Sequence, residues 1–158
     1  MQKSLYKLVV FDWEGTLGDS LGKNLIPGAL DFAQRLYEKK ILLAIATNKY
    51  SFSLEKDLEH FAIANLFAIT RAADQTKPKP NPQMLKEILA ITKVHAKDTL
   101  MIGDSDSDMI MAKSLDIDAI GLDLSGYNTA SLIAAGADVV FCDYIDLQEY
   151  FFQEDELL

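Results

Sequence analysis

The sequence contains little cysteine and no long hydrophobic run. Cys142 is the single cysteine, so an intrachain disulfide is excluded and nothing indicates an oxidising compartment. The longest apolar stretches, such as Ile41–Ala46, are far too short to span a bilayer. Met1–Ser4 leads directly into a strand-like segment and not into a secretory signal. We therefore expect a soluble protein without a targeting or membrane segment, cytoplasmic by default.

Positive charge is also scarce. Aspartate and glutamate number 24 against 15 lysines and arginines, and the formal net charge is -9. This excess argues against nucleic acid as a partner, because its phosphates would be repelled unless a local basic face overrode the total. A bound divalent metal would offset part of the excess. Any chemistry on a phosphate group must therefore rely on local cations.

Short apolar runs alternate with helical patterns along the chain. The 158 residues, of which 49% are hydrophobic, fit a single domain spanning residues 1–158. Several of the apolar runs are hydrophobic on both faces, which is typical of a parallel sheet covered on both sides. The pattern predicts an α/β fold, a three-layer, doubly wound (Rossmann-like) parallel sheet. The predicted strands are Leu8–Phe11, Ile41–Ala46, Leu66–Ile69, Leu100–Ile102, Ala119–Leu122 and Val139–Phe141.

Helices are predicted between these strands, each beginning at a residue that suits a first turn. Pro27 precedes a segment that carries Leu30, Ala33, Leu36 and Tyr37 on one face. The other predicted starts are Ser51 or Ser53, Pro82, Asp106 or Ser107, and Asn128. In a sheet of this kind the ligand site lies beyond the carboxyl ends of the strands.

Four segments place a reactive polar residue where an apolar run stops. A carboxylate nucleophile, a hydroxyl, an ammonium group and a further pair of carboxylates are the groups that transfer of a phosphoryl group to an aspartate requires. Each motif alone has a simple structural explanation, but all of them in this order favour an enzyme. The residues are Asp12 in Val10–Thr16, Thr47 in Ala46–Asn48, Lys77 in Lys77–Pro80, and Asp104 with Asp108 in Gly103–Asp108.

The acidic residues among them suit a hard cation. Asp12 and Asp104 each follow a predicted strand and can converge on one ion, with Asp108 one helical turn further along. Magnesium prefers oxygen ligands and keeps several waters, whereas no histidine or cysteine lies near these motifs to favour zinc. The sequence therefore predicts a Mg²⁺ site.

Together these residues resemble the haloacid dehalogenase (HAD) superfamily. Its first motif is Asp-x-Asp-x-Thr at the end of the first strand, its second a Thr or Ser, its third a Lys, and its fourth an acidic pair. All four have counterparts here, the first with one substitution, and the match spans nearly the whole chain. The segments around Asp12, Lys77 and Asp104 look most like the phosphoglycolate-phosphatase-like branch.

The resemblance implies a role for each matching residue in phosphomonoester hydrolysis. Asp12 would be the nucleophile that forms an aspartyl-phosphate intermediate. Thr47 would hydrogen-bond the phosphoryl oxygens, and Asn48 beside it is expected to share in substrate binding. Lys77 would neutralise charge on the phosphoryl group and on Asp12. Lys79 is the competing assignment, but the Lys-Pro-x-Pro-x-Pro register favours Lys77.

The metal ligands and the acid/base residue follow from the same resemblance. Asp12 and Asp104 would bind Mg²⁺ directly, the backbone carbonyl of Glu14 would be a third ligand, and Asp108 would support this shell. Similar phosphatases carry Asp at the position of Glu14, as the acid that protonates the leaving oxygen and then deprotonates water. Glu14 keeps that carboxyl chemistry and adds a methylene, so we expect it to work as the acid/base.

No cap domain fits in this chain. Residues 18–40 hold only a loop and one helix, and residues 48–76 only a helix, a short strand and a loop. Capless members of the superfamily tend to act on large molecules or borrow a lid from a neighbouring subunit. We therefore expect a phosphoprotein substrate, with phosphotyrosine favoured, whose flanking residues touch Trp13, Lys23 and Arg71. The alternative is a small-metabolite phosphatase, phosphoglycolate-like, that lacks its own cap.

Two other classes share parts of this pattern. A phosphorelay receiver domain also combines a phosphorylated aspartate, a threonine, a lysine and magnesium, but its acidic pair precedes its phosphoacceptor, which is the reverse of the order here. A catalytically weak phosphate-binding signalling module stays open because of Glu14. The oligomeric state is not defined by the sequence.

Overall fold

Six parallel strands form one sheet in the order β3-β2-β1-β4-β5-β6. The computed structural model describes residues 6–153, so Met1–Ser4 lies outside the described residues. The predicted α/β class with a doubly wound parallel sheet is confirmed, whereas a single domain over residues 1–158 stays a prediction. The strands are β1 (Leu8–Phe11), β2 (Leu42–Thr47), β3 (Ile69–Ala72), β4 (Thr99–Gly103), β5 (Asp118–Leu122) and β6 (Val139–Phe141).

Helices connect the strands and cover both faces of the sheet. Pro82 and Asn128 directly precede two of them, as predicted, and Ser105 caps a third through a reciprocal capping box with Asp108. None of the helices within residues 6–153 is both long and apolar enough to cross a membrane. The helices are α1 (Ala29–Glu38), α2 (Ser51–His60), α3 (Gln83–Thr92), α4 (Asp106–Lys113), α5 (Thr129–Ala135) and α6 (Tyr144–Phe151).

Two hydrophobic layers lie on either side of the sheet. Alternate side chains of each strand point to opposite faces, so Val9 and Phe11 pack with α1, α2 and α6, while Leu8 and Val10 pack with α3, α4 and α5. Both sets are fully buried. The central strands are therefore hydrophobic on both faces, which explains why they read as continuous apolar runs.

Two details of the sequence-based prediction are wrong. The third strand begins at Ile69, because Ala64–Leu66 forms a short 3₁₀ turn whose Leu66 is buried against the core. In α1 the buried face is formed by Ala29, Phe32, Ala33 and Leu36, whereas Tyr37 is 48% exposed. An apolar residue can be buried by a turn as well as by a strand, and composition does not distinguish the two.

The sheet extends from β1 in two directions: β2 and β3 lie on one side of it, and β4, β5 and β6 lie on the other. Phe11 pairs with Ile45 on one side and with Ile102 on the other. The carboxyl ends of β1, β2 and β4 therefore meet at one edge, where the neighbouring crossover helices diverge to opposite faces. Asp12, Thr47 and Asp104 all occur at this edge.

The loop after β1, residues 12–28, is long and folds back on itself. Isolated bridges join Gly18 to Glu14 and to Leu25, so residues 15–28 form a small flap beside the edge of the sheet. Residues 73–82, between β3 and α3, form the other long loop. Within the described chain these two segments hold no additional folded unit, and the edge at Asp12 stays open.

Candidate active site

A buried lysine lies against the carboxylate at the end of β1. The Lys79 Nζ atom is 2.9 Å from Asp12 Oδ1 and 2.6 Å from Asp108 Oδ1, and it donates to the carbonyl oxygen of Ala46 at 3.1 Å. Lys79 is 7% exposed and Asp108 is fully buried. Three acceptors match the three N–H donors of an ammonium group. Lys79 is therefore a fixed positive charge beside Asp12.

The structure places Lys79 against Asp12, and not Lys77, which was predicted for the site. Lys77 is exposed on the loop before α3. Asn48 holds the backbone of Lys79 instead: its Oδ1 atom accepts from the Lys79 N–H at 2.8 Å, and its Nδ2 atom donates to the Lys79 carbonyl at 3.3 Å. These two bonds direct the Lys79 side chain inward.

Asp108 and Asp104 complete the acidic cluster at the start of α4. Asp108 Oδ2 accepts from the hydroxyl of Ser105 at 2.8 Å and from its backbone N–H at 3.2 Å. Asp104 Oδ1 accepts from the Thr16 hydroxyl at 3.3 Å. Gly15 makes room for Asp104: a Cβ atom on Gly15 would lie 2.1 Å from Asp104 Oδ2, and its φ of +78° is one that side-chain-bearing residues rarely adopt.

Burial changes the protonation of this cluster. It raises the pKa of Asp12 to about 6 and that of Asp108 to about 6, although the Lys79 charge works in the opposite direction. Burial also raises the pKa of Asp104. The same burial disfavours the charged form of Lys79, but Asp12 and Asp108 outweigh it and keep the lysine pKa above its ordinary value. The cluster thus contains one ammonium group and three carboxyl groups, which is a surplus of negative charge when the carboxyls are ionised.

These carboxyls fit a hard cation. Asp12, Asp104 and Asp108 each offer one oxygen, and the three oxygens lie within 4.8 Å of one another. An oxygen-only donor set with excess negative charge suits Mg²⁺ better than zinc. Both oxygens of Asp108 already accept hydrogen bonds, so Asp12 and Asp104 are the better placed direct ligands.

The Glu14 side chain belongs to a second charged group at the mouth of the site. Its Oε1 atom is 3.5 Å from Lys49 Nζ, which lies 2.7 Å from Asp57 Oδ2. The indole N–H of Trp13 donates to the same Asp57 oxygen at 3.0 Å. Partial burial disfavours the charged form of Lys49, but its hydrogen bond to Asp57 and the charges of Asp57 and Glu14 outweigh this and raise the lysine pKa. Trp13 itself is fully buried.

These side chains surround an open cavity of about 450 Å³. It brings together five of the seven residues predicted for the site, while Asp108 lies buried beneath it and Lys77 is absent from its lining. Sequence reasoning did not assign Ser20 or Lys49 to the site, although Lys49 directly follows the second motif, and did not single out Ser105 and Ser107 within the fourth. The lining residues are Asp12, Glu14, Gly15, Ser20, Thr47, Asn48, Lys49, Lys79, Asp104, Ser105 and Ser107.

All of these lining residues lie within the part of the chain that matches a known family. The model of that family is described as haloacid dehalogenase-like hydrolase and matches residues 10–122. The chain belongs to this family. Its identification as a haloacid dehalogenase-like enzyme from the four motifs is therefore confirmed.

Curated relatives of this haloacid dehalogenase-like hydrolase carry phosphatase names. A phosphoglycolate phosphatase from Mannheimia succiniciproducens is 33% identical over 126 residues, which are 78% of this chain and 55% of that protein. One from Vibrio parahaemolyticus is 32% identical over 113 residues, 71% of this chain and 49% of that protein. The chain thus spans about half the length of the curated relatives it matches.

Solved structures of the family share the fold. A HAD-superfamily hydrolase from Ehrlichia chaffeensis superposes with a TM-score of 0.78, covering 94% of this chain and 97% of that one at 19% identity. The similarity in fold thus extends over nearly the whole of this chain.

Proposed function

We propose that this haloacid dehalogenase-like hydrolase removes phosphate from small phosphorylated metabolites in a Mg²⁺-dependent reaction through an aspartyl-phosphate at Asp12. The observation that carries the proposal is the buried Asp12 carboxylate, held 2.9 Å from the Lys79 ammonium at the floor of an open, polar cavity. A carboxylate so placed can attack a phosphoryl group, and the ammonium and metal offset the charge of both.

The reaction would take place in two steps. In the first, a carboxylate oxygen of Asp12 forms a bond to phosphorus, the bond from phosphorus to the ester oxygen breaks, and Glu14 gives its proton to that oxygen. In the second, Glu14 takes a proton from a water molecule that attacks phosphorus. Asp12 leaves as a carboxylate, and inorganic phosphate is released.

Thr47 and Lys79 would orient the phosphoryl group during both steps. The Thr47 hydroxyl oxygen accepts from the backbone N–H of Lys49 at 3.0 Å, which leaves its proton to donate to a phosphoryl oxygen. Lys79 supplies the fixed charge that was expected of Lys77. Asn48 would act through Lys79, whose backbone it holds, and not as the substrate ligand expected from its position beside Thr47.

Mg²⁺ would be held by Asp12, Asp104 and the backbone carbonyl of Glu14, with Asp108 supporting the shell from below. Bound there, the ion would supply positive charge that polarises the phosphoryl group and screens it from Asp12. Asp108 would contribute chiefly by fixing Lys79, since its Oδ1 atom lies 2.6 Å from that ammonium.

A small metabolite now replaces the phosphoprotein as the proposed substrate. The relatives are named for phosphoglycolate, a small molecule. Of the three residues expected to contact a peptide, Lys23 is exposed, but Trp13 is buried in the core, and Arg71 Nε is paired with Glu87 Oε1 at 2.9 Å. A cavity of about 450 Å³ is of the size that binds small molecules.

A substrate panel tests this proposal. The purified protein is assayed for phosphate release with Mg²⁺ or with a chelator, on small phosphorylated acids and sugars, an aryl phosphate, and phosphotyrosine and phosphoserine peptides. We expect Mg²⁺-dependent turnover and a higher kcat/KM on one class of small metabolite than on either peptide. A preference for a phosphopeptide would contradict the substrate class, and binding of phosphate without turnover would identify a phosphate-binding module.

A further inference from the structure

Glu14 is more exposed than the groups behind it. Its side chain is 50% exposed, whereas those of Lys49 and Asp57 are 17% and 16% exposed. Glutamate has one more side-chain torsion than the aspartate that occupies this position in similar phosphatases, so more conformational freedom must be lost to hold its carboxylate in one place. The additional methylene allows the carboxylate to reach Lys49.

Lys49 is itself held in place by residues that are anchored in the core. Its Nζ atom lies 2.7 Å from Asp57 Oδ2, which accepts the Trp13 indole N–H at 3.0 Å. The Trp13 ring is fully buried, packs against Phe61 with ring centroids 6.3 Å apart, and leaves no room for a Cβ atom on Gly18. A rigid indole therefore fixes the carboxylate, which in turn fixes the ammonium.

We propose that Lys49, held by Asp57 and Trp13, is a positioning residue that keeps the Glu14 carboxyl where the leaving oxygen of the substrate must be protonated. The inference rests on the proposed role of Glu14 as acid/base. It accounts for the glutamate at this position, because the ion pair fixes the torsion that the longer side chain adds.

Lys49 is better suited to this role than to binding a substrate anion. Its ammonium already lies between two carboxylates, at 2.7 Å from Asp57 and 3.5 Å from Glu14. An anionic group of a substrate would have to compete with both of them. The ion pair with Asp57 is also largely shielded from solvent, so salt screens it less than it would an exposed pair.

The test compares Lys49→Met with Lys56→Met on two phosphate esters, an alkyl phosphate with a poor leaving group and nitrophenyl phosphate with a good one. Lys56 is an exposed lysine on α2, the helix that carries Asp57, with its Nζ atom 5.3 Å from the Phe52 ring centroid, and it serves as the control for a lost charge. We expect Lys49→Met to lower kcat on the alkyl phosphate about 10- to 100-fold, with a much smaller loss on the aryl phosphate. Lys56→Met should change neither.

Two further variants keep the inference falsifiable. Asp57→Asn keeps the shape of the side chain and the hydrogen-bond acceptor for Trp13, but it removes the negative charge that pairs with Lys49. This variant should show the same leaving-group dependence to a smaller degree. Lys49→Arg should recover part of the lost kcat. Equal losses on both esters, or a raised KM with unchanged kcat, would overturn the positioning role.

Glu14→Gln separates failure of this inference from failure of the proposed function. It should itself lower kcat selectively on the alkyl phosphate, and in that background Lys49→Met should have little further effect. If Glu14→Gln lowers kcat equally on both esters, the acid/base role of Glu14 is wrong, and so is the inference that rests on it. If Glu14→Gln behaves as expected but Lys49→Met still costs its full factor in that background, only the positioning role is wrong.

Discussion

The Lys79 ammonium lies 2.9 Å from Asp12 Oδ1, and the Asn48 side chain holds the backbone of that lysine by two hydrogen bonds. Asn48 directly follows β2, whereas Lys79 lies in the loop between β3 and α3. The second motif thus contributes to the site in two ways: Thr47 faces the cavity, and Asn48 holds the backbone of Lys79.

Replacing Lys79 should abolish most activity, whereas replacing Lys77 should not. Lys79→Met removes the fixed charge beside Asp12, and loss of one such preorganised electrostatic contact typically costs about 100- to 1000-fold in kcat. Lys77→Met removes an exposed charge two residues away and should leave kcat and the unfolding midpoint unchanged. Steady-state kinetics on nitrophenyl phosphate measure both variants. A large loss in Lys77→Met with an active Lys79→Met would reverse the assignment.

A methyl group on Gly15 should displace Asp104. Gly15→Ala places a Cβ atom 2.1 Å from Asp104 Oδ2, and displacing a metal-binding group by about 1 Å can cost about 100-fold in rate. Gly126 is the matched control, because its φ of +79° imposes similar backbone strain while nothing lies within 4 Å of its Cβ position. Both variants should lose similar stability, but only Gly15→Ala should lose activity and Mg²⁺ affinity. If the two variants had equal activity, Asp104 would not depend on this contact.

Stabilisation by Mg²⁺ should increase with pH. Burial raises the pKa of Asp12 and of Asp108 to about 6 from 3.8. The metal-free folded state therefore keeps protons that the unfolded state releases between about pH 4 and 6, so these two groups lower the free energy of unfolding as the pH rises through that range. Mg²⁺ requires the ionised carboxylates and competes with those protons.

Thermal unfolding with and without millimolar Mg²⁺ measures this linkage. The rise in unfolding midpoint caused by Mg²⁺ should be small near about pH 5, should grow through pH 6, and should level off by about pH 7 to 8. Asp104→Asn removes one direct ligand and should reduce the rise at every pH. A rise that does not vary over this pH range would mean that the ion binds away from the buried carboxyls.

Much of the fold followed from the sequence because the central strands are buried on both faces. Leu8–Phe11 has the predicted bounds, Ala119–Leu122 gains one residue at its start, and the edge strand Val139–Phe141 is predicted because all three of its residues are apolar. The strand that shifted, Ile69–Ala72, lies at the other edge and contains Thr70 and Arg71, so its apolar pattern is weak.

The site residues were predictable where a motif directly follows a strand. They were less predictable where contacts between distant segments determine which residue enters the site. Asp12, Thr47 and Asp104 meet because parallel strands end at one edge. The choice between Lys77 and Lys79 depends on Asn48, which is distant in sequence. Asp57 is one of three acidic residues on α2, so its contact with Trp13 and Lys49 has no local sequence signal.

The central claim, that Asp12 takes the phosphoryl group, is tested most directly by trapping the intermediate. The enzyme is quenched with acid during turnover of a good substrate with Mg²⁺, and its peptides are examined by mass spectrometry. We predict a phosphoryl group on the peptide that contains Asp12, at the Asp12 side chain, and neither the modification nor substantial turnover in Asp12→Asn. Turnover that leaves Asp12 unmodified at every quench time, together with an active Asp12→Asn, would contradict the account.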